Sequence, residues 1–105
     1  MVEFLKNPHP GEILAEEFLK PLNMSQLSLA SAIHVPANRI NDIVRGRRGI
    51  TADTDLRLAH YFGLSQGYFL RLQNAYDMME VQREIGDIVH GINPYREFQN
   101  QSPTA

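Results

Sequence analysis

An all-α fold of five helices, the last one long, follows from three features of the 105-residue chain. Apolar residues recur at i, i+3 and i+4, the spacing of one helical face, in five successive segments. Polar caps, glycines and prolines punctuate these segments at their ends. No stretch alternates with the period of two that a half-buried strand requires, and there is no internal repeat.

Residues 1 to 9 hold little pattern beyond Phe4 and Leu5 and read as a flexible N-terminal arm. From Pro10 the segment GEILAEEFLK sets Ile13, Leu14, Phe18 and Leu19 on one stripe. Glu12, Glu16 and Glu17 lie towards its positive N-terminus, Lys20 at its end and Pro21 just beyond. Ser25 is a good N-cap for a short second helix that aligns Leu29, Ala30 and Ile33. His34 and Val35 connect to Pro36, whose fixed φ suits a helix start, and Ile40, Ile43 and Val44 then line a third helix ending at Gly46. After RGRRG, Thr51 can cap a fourth helix whose buried face is expected to be Leu56, Leu58, Ala59 and Phe62, closed by Gly63.

Ser65 can cap the fifth helix, which is expected from Gln66 to about His90. It would be about 36 Å long at 1.5 Å per residue, more than a core this small can cover. Leu72, Tyr76, Met79, Val81, Ile85 and Ile88 are therefore expected to face a dimer mate or another partner. A ligand pocket is the less natural reading of such a Tyr- and Met-rich stripe. Gly91 and Pro94 stop the helix, and residues 91 to 105 read as a disordered tail. Residues 10 to 90 would thus form a single domain around one core.

The net charge is −2, yet the charges are unevenly placed. Residues 1 to 22 carry two basic and four acidic groups, 23 to 50 four basic and one acidic, and 51 to 105 four basic and seven acidic. Positive charge concentrated in the middle suits a local phosphate-binding face. The absence of cysteine excludes a disulfide framework and cysteine zinc sites. No window approaches a membrane span and no export signal is visible, so a cytoplasmic location is expected.

Two short helices joined by a tight turn, within residues 25 to 49, meet the requirement for insertion into a DNA major groove. In that arrangement Leu29, Ala30, Ile33, Val35, Ile40 and Ile43 hold the pair together. The outward positions of the third helix are Ala37, Asn38, Arg39, Asn41, Asp42 and Arg45. Ala37, Asn38, Arg39 and Asn41 are the candidates for base edges, Asn and Arg having the donor geometry for adenine and guanine respectively. Gln26, at a helix N-terminus, together with Arg45, Arg47 and Arg48, are the candidates for phosphate. Arginines in a run more often just solvate a surface; their placement around this turn favours the DNA reading.

The histidines His9, His34, His60 and His90 do not have ligand spacing, and the paired carboxylates Glu16/Glu17 and Asp53/Asp55 sit near helix starts, where the helix dipole accounts for them. No catalytic triad, phosphate loop or thiol site is present, so neither enzymatic activity nor a metal or cofactor is expected.

The stretch SQLSLASAIHVPANRINDIVRGRRGIT followed by LRLAHYFGLS resembles the Xre, or lambda-repressor-like, helix-turn-helix. PHPGEILAEEFLKPLNMS, GRRGIT and FGLSQGYFLRLQNAYDM narrow the resemblance to the HigA family of antitoxins, over roughly residues 8 to 78. That resemblance implies a protein that neutralises a HigB-like mRNA-cleaving toxin by binding it, represses its own operon and contacts double-stranded operator DNA. It also implies DNA contacts at Gln26, Ala37, Asn38, Arg39, Asn41 and Arg45. A homodimer is expected, because two recognition helices about 34 Å apart match half-sites one DNA turn apart. This chain departs from the family pattern at Gln66, Gly67 and Phe69, where Pro, Glu and Trp are common, which would alter the start of the fifth helix. It departs also at His34, where a glycine usually turns the chain and a left-handed residue costs of order 1 kcal/mol. Two other readings stay open: an orphan dimeric repressor without a toxin, and a protein-binding module that has lost DNA recognition.

Overall fold

The computed structural model describes residues 6 to 96; what was expected of residues 1 to 5 and of the tail from residue 97 lies outside them. Helix α1 (Pro10–Ile13) runs directly into a π-helical segment, Leu14–Leu19, and is followed by α2 (Gln26–Ala32), α3 (Ala37–Val44), α4 (Ala52–Phe62) and α5 (Tyr68–His90). No strand occurs among the described residues.

The first helix departs from the regular α-helix expected. Bonding to the fifth residue back, as in Lys20 N–H to Ala15 O at 2.9 Å, brings residues five apart onto one face. Leu14 and Leu19 both enter the core as a result.

Two of the three expected caps form, and Ser65 does not cap α5, because the helix starts after Gly67 and the Ser65 hydroxyl accepts from Arg71 instead. The Ser25 hydroxyl accepts from Ser28 N and the Thr51 hydroxyl from Thr54 N. Helices α2, α3 and α4 end in the same way, with a left-handed residue, His34 (φ 61), Gly46 (φ 75) or Gly63 (φ 70), after the last turn. The following amide then reaches five residues back: Val35 to Ala30 O, Arg47 to Asp42 O and Leu64 to Ala59 O. His34 therefore takes the conformation its replacement of glycine implied.

The core joins Leu14 and Leu19 to Leu29, Ala30, Ile33, Val35, Ile40, Ile43, Ile50, Leu58 and Phe69. Phe18, on the π-helical segment, stacks at 4.9 Å on Phe62 and 5.3 Å on Phe69, tying the first helix to α4 and α5. One expected core residue is absent: Leu56 is exposed. It lies two residues from Leu58, and such positions point to different sides of a helix. Thr54 and Asp55 are buried on that face of α4 instead.

Helix α5 begins at Tyr68, not Gln66, because Gly67 adopts φ 91 and turns the chain immediately before it. Its cap comes from afar. The buried Asp55 carboxylate accepts from Gly67 N at 2.6 Å, Phe69 N at 2.8 Å and Leu70 N at 3.1 Å. Asp55, expected to serve the start of its own helix, thus serves the start of the next.

Only the first turns of α5 belong to the core. Leu72 packs against it, and Tyr76 meets the His9 ring edge-on at 4.9 Å while its carbonyl accepts from the Asn7 amide. These two were expected on a partner surface and instead pack on the chain's own domain, which reaches that far along the helix. The same contacts hold Asn7 and His9 of the expected loose arm against α5. Met79 is half-buried, and beyond it the helix projects, with Val81, Ile85 and Ile88 exposed at 47%, 36% and 68%. At 23 residues α5 is about 35 Å long, which accounts for the elongated 53 × 34 × 21 Å envelope.

Candidate nucleic-acid interface

The polar side of α3 rests on a buried support. All six residues expected to join α2 and α3, Leu29, Ala30, Ile33, Val35, Ile40 and Ile43, are buried. The N-terminus of α1 approaches the opposite end of α3 so closely that a Cβ on Gly11 would fall 1.7 Å from Ile43 O. His9 Nδ1 caps this start of α1 by accepting from Gly11 N at 2.9 Å. Burial lowers the His9 pKa, against the opposing pull of Asp77 and Glu12, and so favours the neutral imidazole this bond needs.

On this support α3 presents its polar side. Ala37 and Asn38 are exposed at its first turn, and Arg39 and Asn41 are half-buried beside them. The Asn41 amide donates to Gln26 Oε1 at 3.1 Å, so the residue placed with the bases and the one placed with phosphate form one polar pair across the two helices. Arg45, Arg47 and Arg48 follow in the exposed turn. No salt bridge joins any of the three to an acid among the described residues. The linker beyond them is fastened by α5: Gln73 Oε1 accepts from Ile50 N at 2.7 Å.

Three participants escaped the sequence reading. Asp53, in the first turn of α4, accepts from Arg39 Nη1 at 3.0 Å and from Arg57 Nε at 2.7 Å. Arg57 in turn donates to Ile33 O at 2.8 Å and His34 O at 3.1 Å, capping α2 and supporting its left-handed turn. The i, i+4 spacing of Asp53 and Arg57 could have marked that pair; nothing local marks Arg39 or Gln73 as a long-range partner. The arginine bonds hold the Asp53 carboxyl below its usual range, Arg57 contributing most and Arg39 adding to it.

A family model described as helix-turn-helix matches residues 16 to 69, half of the chain. Virulence-associated protein I of Dichelobacter nodosus is 54% identical over 76 residues, which are 72% of this chain and 70% of that protein. A solved HigA-family addiction module antidote protein from Coxiella burnetii is 43% identical, with 87% of this chain and 100% of that one covered at a TM-score of 0.80. The chain belongs to the HigA family of helix-turn-helix proteins. A structure of the Pseudomonas aeruginosa antitoxin HigA with the higBA promoter is likewise similar, at 41% identity, a TM-score of 0.80 and coverage of 85% of this chain and 98% of that one. The helices that carry the HigA fold are therefore the same ones that set out the polar side of α3. Among the described residues no helix is long and apolar enough to cross a membrane.

Proposed function

We propose that this protein is an antitoxin that binds the operator of its own operon as a dimer and neutralises an mRNA-cleaving toxin by direct binding. One observation carries the DNA half of the reading: α3 turns Ala37, Asn38, Arg39 and Asn41 to one side, bordered by the exposed Arg45, Arg47 and Arg48 and by Gln26 at the start of α2. Asn38 and Arg39 read adenine and guanine edges, each bidentate pair contributing about 1–3 kcal/mol of discrimination. Asn41, steadied by Gln26, works beside them. Gln26 and the three arginines hold the phosphates and set the register. The solved P. aeruginosa relative, whose structure includes a promoter, supports this use of the fold.

The toxin half rests on kinship with proteins named as antitoxins. The distal half of α5, with Met78, Val81, Ile85 and Ile88 exposed in one stripe, is the surface for a second copy of the chain. Met79 borders it.

Titrating the purified protein onto a duplex from its own upstream region, at two salt concentrations and alongside Asn38→Ala and Arg39→Ala, tests the first half. Saturable, salt-weakened binding that loses sequence preference in the variants is the expected result; no binding by the parent protein refutes it. Copurification with the product of the neighbouring gene, and relief of that product's mRNA cleavage, tests the second.

A further inference from the structure

The least expected feature of the α3 surface is an acidic one. A carboxylate beside a DNA-binding arginine opposes phosphate binding, yet Asp53 is bonded directly to Arg39 at 3.0 Å. The contact is one link of a network. The same oxygen, Oδ1, also receives Arg57 Nε at 2.7 Å, and Arg57 is itself anchored on the Ile33 and His34 carbonyls at the end of α2. A chain of bonds thus runs from the turn of the helix-turn-helix through α4 to α3.

The Arg39 side chain retains only 28% of its exposure, so its direction is defined before any ligand arrives. A guanidinium carries five N–H donors in a planar fork. Asp53 takes Arg39 Nη1, and the remaining donors stay available to a base edge.

We infer that Asp53 is a positioning and specificity-determining residue: it aims Arg39 at a base edge and keeps its charge from being spent on phosphates of unrelated DNA. Arg57 is the strut that holds Asp53 in place. This rests on Arg39 reading a base, as proposed above. Two effects then follow from one carboxylate. Non-specific binding, which is driven by charge, is weakened, and operator binding avoids the ordering of a free arginine, an effect of roughly 2- to 10-fold for one side chain.

The test is a set of paired titrations, on an operator duplex and on a scrambled duplex of the same length, across a salt series. Asp53→Asn is expected to bind scrambled DNA more tightly and with a steeper salt dependence. Operator binding should not gain in proportion, so the operator-to-scrambled ratio falls by about 2- to 10-fold. Asp53→Glu, which keeps the charge, should recover part of that ratio. In an Arg39→Ala background, Asp53→Asn should leave the ratio unchanged. A merely structural Asp53 would move the melting temperature but not the ratio.

The inference is overturned if Asp53→Asn strengthens binding to both duplexes by the same factor, since the carboxylate would then act only as a general charge. It is overturned too if the ratio falls equally in the Arg39→Ala background. If Arg39→Ala alone preserves the full ratio, the base-reading role of Arg39 fails, and this inference fails with it; that result is recognisable from the single variant.

Discussion

Replacing Asp55 by alanine is expected to be among the most damaging single changes in this protein. The carboxylate is 1% exposed and accepts three amide hydrogens, from Gly67, Phe69 and Leu70, that no other group receives. Loss of an ordinary N-cap costs about 0.5–2 kcal/mol. Here the bonds are charge-assisted, each worth roughly 1.5–3 kcal/mol, and the Phe69 amide would be stranded in the core. The contributions do not add fully, because water can enter and the start of α5 can shift. A net loss of about 3–5 kcal/mol is expected, the range found when a buried charged network loses one member. At about 4–5 °C per kcal/mol for a domain of about this size, that lowers the melting temperature by about 12–25 °C. Asp55→Asn should fall between, since its oxygen still accepts while its NH2 group meets an N–H. Denaturant unfolding followed by far-UV circular dichroism, at fixed protein concentration because the proposed dimer would add to stability, measures the effect. A loss below about 1 kcal/mol for Asp55→Ala would refute the claim that this side chain organises α5.

Three further outcomes follow from the same contacts. Gly11→Ala would place a methyl 1.7 Å from Ile43 O, a backbone atom that cannot turn aside, so α1 must move off α3; a loss of about 3 kcal/mol, the upper end of the usual overpacking range, is expected in denaturant unfolding, with weakened DNA binding. His9 has a lowered pKa in the fold, so the unfolded chain binds more protons between that value and the ordinary one near 6.5. The stabilisation is complete above pH 6.5 and is lost as pH falls below it, and His9→Ala should flatten this part of a melting-temperature profile recorded between pH 7.5 and 5. Ile85→Asp and Ile88→Asp, in the exposed part of α5, should leave the monomer folded but shift sedimentation equilibrium from dimer towards monomer; an unchanged dimer would place the interface elsewhere.

What the sequence disclosed was what neighbouring residues decide. Ser25 and Thr51 cap helices through amides three residues on, Gly46 and Gly63 close them, and the Leu29 to Ile43 pattern assembles the α2–α3 pair, all from local spacing. Contacts between residues distant along the chain were not visible. Asp55 lies 12 residues or more from the amides it caps, Asp53 is 14 residues from Arg39, and Gln73 is 23 from Ile50. Each is an ordinary surface-type residue by composition. The π-helical turn escaped for a different reason: Leu14 and Leu19 read as part of an acceptable α-helical stripe, and only packing shows that both must face inward. Leu72 and Tyr76 read as outward residues in the sequence because the extent of the aromatic layer, from Phe18 to His9, depends on how the N-terminal segment folds back. The candidate DNA face was the most legible part, since its positions follow from helical periodicity once α2 and α3 are placed.

The central claim is that α3 reads base sequence through named side chains, and selection of binding sites from a randomised duplex pool tests it most directly. The parent protein should enrich a two-fold symmetric site with half-site centres about 10 base pairs apart. Selection repeated with Arg39→Ala should return the same site with preference lost at one base pair in each half and retained elsewhere. An identical site from both proteins, or no enrichment by the parent protein, would contradict it.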